Sequence, residues 1–517
     1  MQGLAQKSAA PYPARMLSIF DEGPCAPCPA PFNLAAHVLK AGEAVPDKIA
    51  LAILRLTGAE RWSYARLIQA VRGTATGLLQ SGLEPGQIVL MRLGNTVEFP
   101  IAYLGAITAG LVPVPTSSQL TGREVEGILD HLSPAAILRD AGVSCPATHL
   151  PIHDTDILHS WRDLPPAAYH MGDPERLAYL VYTSGTSGKP RAVRHAHRAI
   201  WARQMMMQGW YGLCANDRLL HAGAFNWTYT LGTGLMDPWT MGATALIPAA
   251  GTEPAQLPLL LKRNDASIFA AAPGVYRQLL KAPLPALPKL RHGLAAGEKL
   301  PQTIRDAWTE ATGTAIYEAF GMSECSTFIS SSPERPCGQG VLGRPQVGRR
   351  VAILGADGQP LPIDTPGTIA VHRSDPGLML GYHDAPDATR ERFVQDWFLT
   401  GDQGQMQADG QIVYLGRDDD MMNAGGFRVS PLEVEAALAD LPELGDIAVT
   451  EVDVRPGVSV IAAFFTGRAE PATLESAAAE RLARYKQPRI WQHMDVLPRN
   501  PNGKLSRKAL RAGWQPD

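Results

Sequence analysis

No apolar run in this chain approaches the ~18–20 residues that a bilayer-spanning helix needs, so no integral membrane segment is expected. Cysteine is scarce, with six in 517 residues, too few and too scattered for a disulfide framework. Cys25-Ala-Pro-Cys28 has ligand-like spacing, but without a second pair or a histidine cluster it does not make a zinc site. Charge of one sign is lacking too. The net charge is −3, and no basic field invites nucleic acid. Met1 to Arg15 is rich in Ala and Pro without a hydrophobic segment, so no secretory signal is expected. Together these absences point to a reducing cytoplasm.

What is present is ordinary for a large globular protein: 45% hydrophobic and 19% charged residues, in a chain long enough for more than one domain. Residues 1–31 read as a loose lead-in. Helical periodicity follows in Phe32 to Lys40 and again in Ala65 to Leu79, where Ser81-Gly82 ends it. Short apolar runs at Ile88–Met91 and Leu111–Pro115, separated by a mostly apolar helix from Pro100 to Ala109, predict α/β architecture with largely parallel sheets. Ser267 to Ala272 adds a further strand, leading to Pro273 and a helix through Leu280. Dense charge beside glycine in Gly416-Arg417-Asp418-Asp419-Asp420 marks an exposed connection. After it, helices at Pro431–Ala439 and Leu474–Arg484 alternate with strands at Ile447–Val454 and Val458–Phe465, an α+β module of ordinary domain size. The expected division is a large α/β domain over 32–418 and a small α+β domain over 419–517.

The most informative stretch is Tyr182-Thr183-Ser184-Gly185-Thr186-Ser187-Gly188-Lys189-Pro190-Arg191, after the apolar run Leu177 to Val181. Glycine permits close backbone approach, while amides, hydroxyls and the two cations can wrap phosphate oxygens. It is not a Walker A loop, because Gly185 to Gly188 is too short and Pro190 follows Lys189. A helix is expected over His195 to Met207, placing a helix N-terminus beneath the loop. His195 and His197 could serve as bases there but more ordinarily cap or pack. Leu219 to Trp239 alternates aromatic and small residues. Trp227 and Tyr229 supply flat apolar area, and Gly232 and Gly234 leave room beside them. No acidic residue lies between Leu219 and Met236, which weakens any reading with an ammonium-bearing substrate.

Taken with Phe320-Gly321-Met322-Ser323-Glu324, Thr400-Gly401-Asp402, Gly416-Arg417-Asp418-Asp419 and Pro501-Asn502-Gly503-Lys504, this order and spacing resembles the adenylate-forming superfamily. That group includes acyl-CoA synthetases, adenylation domains of peptide synthetases, and luciferases. The resemblance runs from Phe32 to Leu510 and is nearest to benzoate-CoA ligases and medium-chain acyl-CoA synthetases. Departures are Pro190-Arg191-Ala192 for the usual Pro-Lys-Gly, Phe320 for Tyr and Ser323 for Thr.

The resemblance implies the adenylate-forming fold, with a mobile small domain, and assigns roles. Thr183, Ser184, Gly185, Thr186, Ser187, Gly188 and Lys189 would hold the ATP phosphates. Gly297, Glu298, Lys299, Glu318, Ala319, Phe320 and Gly321 would line the adenine side, with Asp402 at the ribose and Arg417 at the ribose or a phosphate. Ser323, Glu324 and Lys504 would be catalytic: Ser323 on the α-phosphate, Glu324 on Mg²⁺, and Lys504 bridging acid and α-phosphate. Trp227, Tyr229, Gly232, Ala296, Met322 and Phe328 would form the acid pocket. Asp419 would be the hinge, and Gly425, Gly426 and Phe427 would border the tunnel for coenzyme A.

The implied reaction is ATP-dependent ligation of a carboxylic acid to CoA through an acyl-adenylate. The acid would be benzoate-like, or of short or medium chain. Loading of a carrier protein and an inactive nucleotide sensor stand as alternatives, and a luciferase-like oxygenase stands behind them. Whether the chain pairs as a homodimer, and whether a lysine acetyltransferase silences Lys504, stay open at this level.

Overall fold

The computed structural model describes residues 16–183, 191–424, 427–455, 458–500 and 503–515. Ser184 to Lys189, and Gly425 with Gly426, therefore lie outside the described residues.

A nine-stranded mixed sheet forms the centre of the large region. Six of its strands run parallel: Ile49–Arg55, Thr244–Pro248, Arg218–His221, Ile268–Ala271, His292–Ala296 and Ile316–Met322. Antiparallel strands close both edges, Gly58–Ser63 on one side and Ser326–Ser330 with Arg344–Pro345 on the other. A second sheet, Val112–Pro115, Ile88–Arg92, Ala136–Arg139 and Ile152–Asp154, is wholly parallel. The helices follow from their patterns and caps. Asn33 accepts from the amides of Ala35 and Ala36 to start Leu34–Glu43, and Ser63 accepts from Arg66 to start Tyr64–Gln80. The helix Glu98–Thr108 is apolar nearly all round, and every residue in it is buried.

Three expectations need correction. The sheets are not largely parallel throughout. Ile19–Asp21, Arg350–Leu354, Gly367–His372, Trp397–Met406, Phe393–Val394 and Ile412–Arg417 form a six-stranded antiparallel sheet. Its edge strand Ile19–Asp21 comes from the segment read as a loose lead-in, and Phe20 is buried there. The helix expected from His195 is also absent. Arg191–Ala196 is a strand, antiparallel to both Leu177–Thr183 and Gly381–Tyr382, and the helix begins only at Arg198. Ala192, Val193 and Ala196 are buried within that strand. Pairing on both sides overrides the weak helical preference of a six-residue run.

After Ile412–Arg417 the chain turns through Asp418–Asp420 and enters a module with its own sheets. Met422–Ala424 pairs with Phe427–Val429, and Leu444–Arg455 pairs with Val458–Gly467, which Ile490–His493 joins in parallel. Ser430 caps the helix Pro431–Leu438 and also donates to the carbonyl of Leu415 in the large region.

The hairpin Ile316–Met322/Ser326–Ser330 is held from behind by an ion pair with no exposure on either side chain. Arg349 donates to Asp375 Oδ1 at 2.5 Å and to the Thr327 carbonyl at 3.0 Å, while the Gly377 amide donates to Asp375 at 2.7 Å. Removing one partner of such a pair strands the other charge without water. Asp375→Ala is therefore expected to cost ~3–5 kcal/mol, read as a lower urea midpoint for the large region. A midpoint equal to wild type would contradict this.

Candidate active site

Asp402 lies within Trp397–Met406, where Gly401 adopts φ +80° and the pairing register slips. Only a residue without Cβ takes that conformation cheaply. Thr400 fixes the kink, donating from its hydroxyl to the Ile369 carbonyl (2.8 Å) and accepting from the Asp402 amide (3.1 Å). Tyr414 donates its hydroxyl to Asp402 Oδ1 at 2.8 Å, and Arg417 lies opposite Asp402 across the sheet. Burial pushes the Asp402 carboxyl up to about 6, with Arg417 and the Tyr414 hydrogen bond pulling the other way. The Tyr414 ring leans on Phe320 at 5.3 Å, and Phe328 meets Phe320 edge-on at 5.4 Å. Phe320 and Asp402 are thus joined through one tyrosine, which sequence reasoning did not single out.

Lys504 arrives from the small module. Its turn is tied by the Asn500 side chain accepting from the Lys504 amide (3.0 Å) and by the Asn500 amide donating to the Lys504 carbonyl (2.8 Å). The half-buried Lys504 side chain feels the charges of Glu298, Asp402 and Arg417. Burial pushes it down, the two carboxylates hold it up, and Arg417 depresses it further. Glu298 is pushed up by its own burial, against Arg499, Arg277 and Lys504. Gly297, at φ +102°, is the pinch point. A Cβ there would sit 2.8 Å from the Trp227 indole and 3.7 Å from Lys504 Cε. Trp227 and Lys504 therefore face each other across a position that tolerates no side chain.

Glu324 accepts from the Tyr382 hydroxyl at 2.7 Å, and its carbonyl accepts from the Met379 amide at 2.7 Å. Its second carboxylate oxygen has no partner among the described residues. The guanidinium of Arg191, one of the departures noted above, stacks over the Tyr382 ring at 5.1 Å. The Ser323 carbonyl accepts from His195 at 2.7 Å. His195 is stacked on Tyr179, and burial pushes it down to about 4. His197 accepts from the Leu34 amide and is held down to about 3. Both histidines are neutral packing groups.

The remaining expected residues separate into two sets. Ala296 is paired with Ala319 across adjacent strands and packs in one apolar cluster with Tyr229 and Trp210. Tyr229 meets Trp227 edge-on at 5.1 Å and donates to the Leu294 carbonyl. Phe328 is fully buried in another cluster, against which Met322 and Phe320 pack. Glu318 turns its carboxylate inward, accepting from the Leu300 amide (2.9 Å), Arg305 (3.1 Å) and Lys299 (3.4 Å). Glu318 and Lys299 thus brace the turn that carries Gly297. Gly321 has no room for a side chain, since a Cβ would lie 2.2 Å from the Ser326 carbonyl oxygen. Gly232 likewise yields to Arg203, whose guanidinium would sit 2.3 Å from a Cβ. Arg203 pairs with Asp237 at 2.6 Å and bonds Tyr211 and Ser326. Asp237, the first acid after Met236, is thereby consumed. Sequence reasoning missed Arg203 because nothing local marks its partners. Thr183 closes its strand, Asp419 lies in the turn after Arg417 and accepts from it at 3.1 Å, and the Phe427 backbone pairs with Ala424. Among the described residues no group of three or more metal-ligating side chains occurs, and no helix is long and apolar enough to cross a membrane.

A large region built on a mixed sheet with a second, smaller module after it is the fold of the adenylate-forming enzymes. The chain belongs to the AMP-binding enzyme family: the model for that family matches residues 39–383, and the model for the AMP-binding enzyme C-terminal domain matches 433–504. It is 26% identical over 500 residues to the 3-hydroxybenzoate–CoA ligase of Aromatoleum sp. (strain CIB), covering 88% of this chain and 92% of that one. Among solved structures it resembles a benzoate CoA ligase from Burkholderia xenovorans LB400, with TM-score 0.82 and 26% identity over 93% of this chain and 100% of that one. It also resembles the anthranilate CoA ligase AuaEII in complex with anthranoyl-AMP, with TM-score 0.85 and 24% identity over 94% and 98%.

The Asp402 environment gives a pH signature. With its carboxyl at about 6 in the free protein, the accepting, ionised form is lost as pH falls below that value. AMP affinity, referred to Asp402→Asn to cancel titration of the ligand, is expected to fall about tenfold from pH 7 to pH 5. A ratio that stays flat in calorimetric titrations would separate Asp402 from the nucleotide.

Proposed function

We propose that this protein is an ATP-dependent carboxylic acid:CoA ligase acting on an aromatic acid. The observation that carries the reading is the placement of Lys504 beside Asp402, Glu298 and the pinch point that Trp227 shares with Gly297. One ammonium there can reach both a carboxylate lying against Trp227 and the α-phosphate of a nucleotide whose ribose is held by Asp402. In the first half-reaction the substrate carboxylate attacks the α-phosphorus, a P–O bond forms, and the bond to pyrophosphate breaks. Lys504 gathers the two anions and neutralises the charge that builds between them. In the second, the thiol of CoA attacks the acyl carbon, AMP leaves, and the thiol proton goes to solvent.

The phosphate loop Thr183–Lys189, with Arg191, is assigned to the β- and γ-phosphates. Ser323 is assigned to the α-phosphate and Phe320 to the adenine face. Gly425, Gly426 and Phe427 are assigned to the thiol approach, with Asp419 as the hinge of a domain boundary near 418. The free oxygen of Glu324 fits a Mg²⁺ held mainly by phosphates and water. Such an ion, when bound, supplies charge neutralisation to the phosphates. Trp227 and Tyr229 offer flat faces suited to an aromatic ring, and the named relatives include ligases of aromatic acids. With six free cysteines, the protein suits a reducing cytoplasm. Acetylation of Lys504 would remove its charge and with it the first half-reaction.

The test is product analysis with ATP, Mg²⁺ and CoA on a panel of benzoates, arylalkanoates and straight-chain acids. AMP and a benzoyl-type CoA thioester in equal amounts are expected. Thioesters formed only from straight-chain acids would overturn the aromatic assignment. Pyrophosphate release without thioester would indicate a carrier protein as the acceptor.

A further inference from the structure

Among the described residues no hydrophobic cluster joins the two modules. Those built from residues 422 onward contain no residue of the large region, and those of the large region stop short of it. Polar contacts cross between the modules, and one set of them stands directly behind the lysine. Arg277, on the large-region helix Pro273–Leu279, donates to Asp446 Oδ2 at 3.1 Å. Asp446, in the small-module strand Leu444–Arg455, has its amide fixed by the Thr466 hydroxyl at 2.7 Å. Its Oδ2 also accepts from Arg499 at 3.2 Å. Arg499 donates to the carbonyl of Gly503 at 2.9 Å and lies 3.8 Å from Glu298 of the large region. One guanidinium thus touches the residue before Lys504, the acid that faces Lys504, and the acid that grips the large region.

We propose that Arg277, Asp446, Arg499 and Glu298 form an ion clamp that holds the small module in the orientation presenting Lys504, making Arg277 and Asp446 positioning residues for acyl-adenylate formation. The inference rests on the role given to Lys504 above. The clamp is built to release. The side chains of Arg277, Asp446 and Arg499 keep 31%, 29% and 27% of their exposure, so water and salt screen each pair. Exposed pairs are individually weak, and the set together biases docking by about tenfold rather than locking it. A clamp of that strength lets the lysine withdraw once the adenylate has formed. Asp446 meets the large region through Arg277, and among the nucleotide residues described above Arg277 acts only on Glu298, itself a member of the clamp, so their loss should act through the Lys504 site.

The test uses the full chain and two readouts. The first is pulsed acetylation with acetic anhydride, followed by mass spectrometry of the Lys504 peptide relative to exposed Lys289. In Arg277→Met and Asp446→Asn, Lys504 labelling is expected to rise about threefold, and Arg277→Lys should restore most of the protection. Arg277→Met removes a cation, which by itself would raise the lysine pKa and slow labelling, so a rise in that variant reports exposure of the amine; Asp446→Asn removes an anion, which acts the other way, and is judged on the second readout. The second readout separates the half-reactions. Adenylation should fall about threefold, the two changes multiplying to the tenfold shift in docking, while thioester formation from supplied acyl-adenylate stays near the wild-type rate. Unchanged Lys504 labelling in both variants, or equal loss in both half-reactions, would overturn the clamp. Raised labelling in a protein whose wild type adenylates no acid would leave the clamp standing and remove the ligase reading instead.

Discussion

An ammonium group kept charged in a place with little water is the constraint around which the polar half of this molecule is arranged. Burial alone drives Lys504 toward the neutral amine, and Arg417 adds to that pressure. Glu298 and Asp402 oppose it, and each of these carboxyls is itself pushed up by burial. Two acids and a lysine, each costly to bury alone, are tolerable together. The balance also suits the chemistry. A nucleotide brings further negative charge into the same space, so the charged lysine is most stable when substrate is present.

The fold delivers this arrangement by economical means. The parallel strands His292–Ala296 and Ile316–Met322 end side by side, and their carboxyl ends open onto Gly297 and Ser323. Ligands of open α/β sheets sit at such strand ends. The antiparallel sheet contributes Asp402 on a kinked strand and Tyr414 on its neighbour. The small module contributes the lysine turn. Backbone crowding does much of the work: Gly297, Gly321 and Gly232 each sit where a methyl group would strike Trp227, the Ser326 carbonyl or Arg203. These glycines read as loop punctuation in the chain, yet in space they set how near the walls approach.

Much of the site was legible because its residues lie in short local motifs. Thr400-Gly401-Asp402 needs only its own kink to present a carboxylate, and the lysine turn is closed by Asn500 a few residues away. Helices with clear caps, such as Tyr64–Gln80, appeared within a residue or two of expectation. What sequence could not show depends on partners distant in the chain. Arg191–Ala196 became a strand because two other strands flank it. Ile19–Asp21 joined a sheet whose other members begin beyond residue 340. Arg203 with Asp237, and Arg277 with Asp446, are ordinary surface-type residues until folding brings them together. Glu318 sits inside a telling motif but spends its carboxylate on Lys299, Leu300 and Arg305.

The central claim is that Lys504 serves one half of the reaction and not the other. Its direct test is Lys504→Ala, with acid-dependent exchange of labelled pyrophosphate into ATP measured beside thioester formation from synthetic acyl-adenylate and CoA. Loss of one preorganised charge at a reacting phosphate should slow the exchange by ~10²-fold or more while thioester formation proceeds near the wild-type rate. Equal loss in both steps, or exchange at the wild-type rate, would contradict the account.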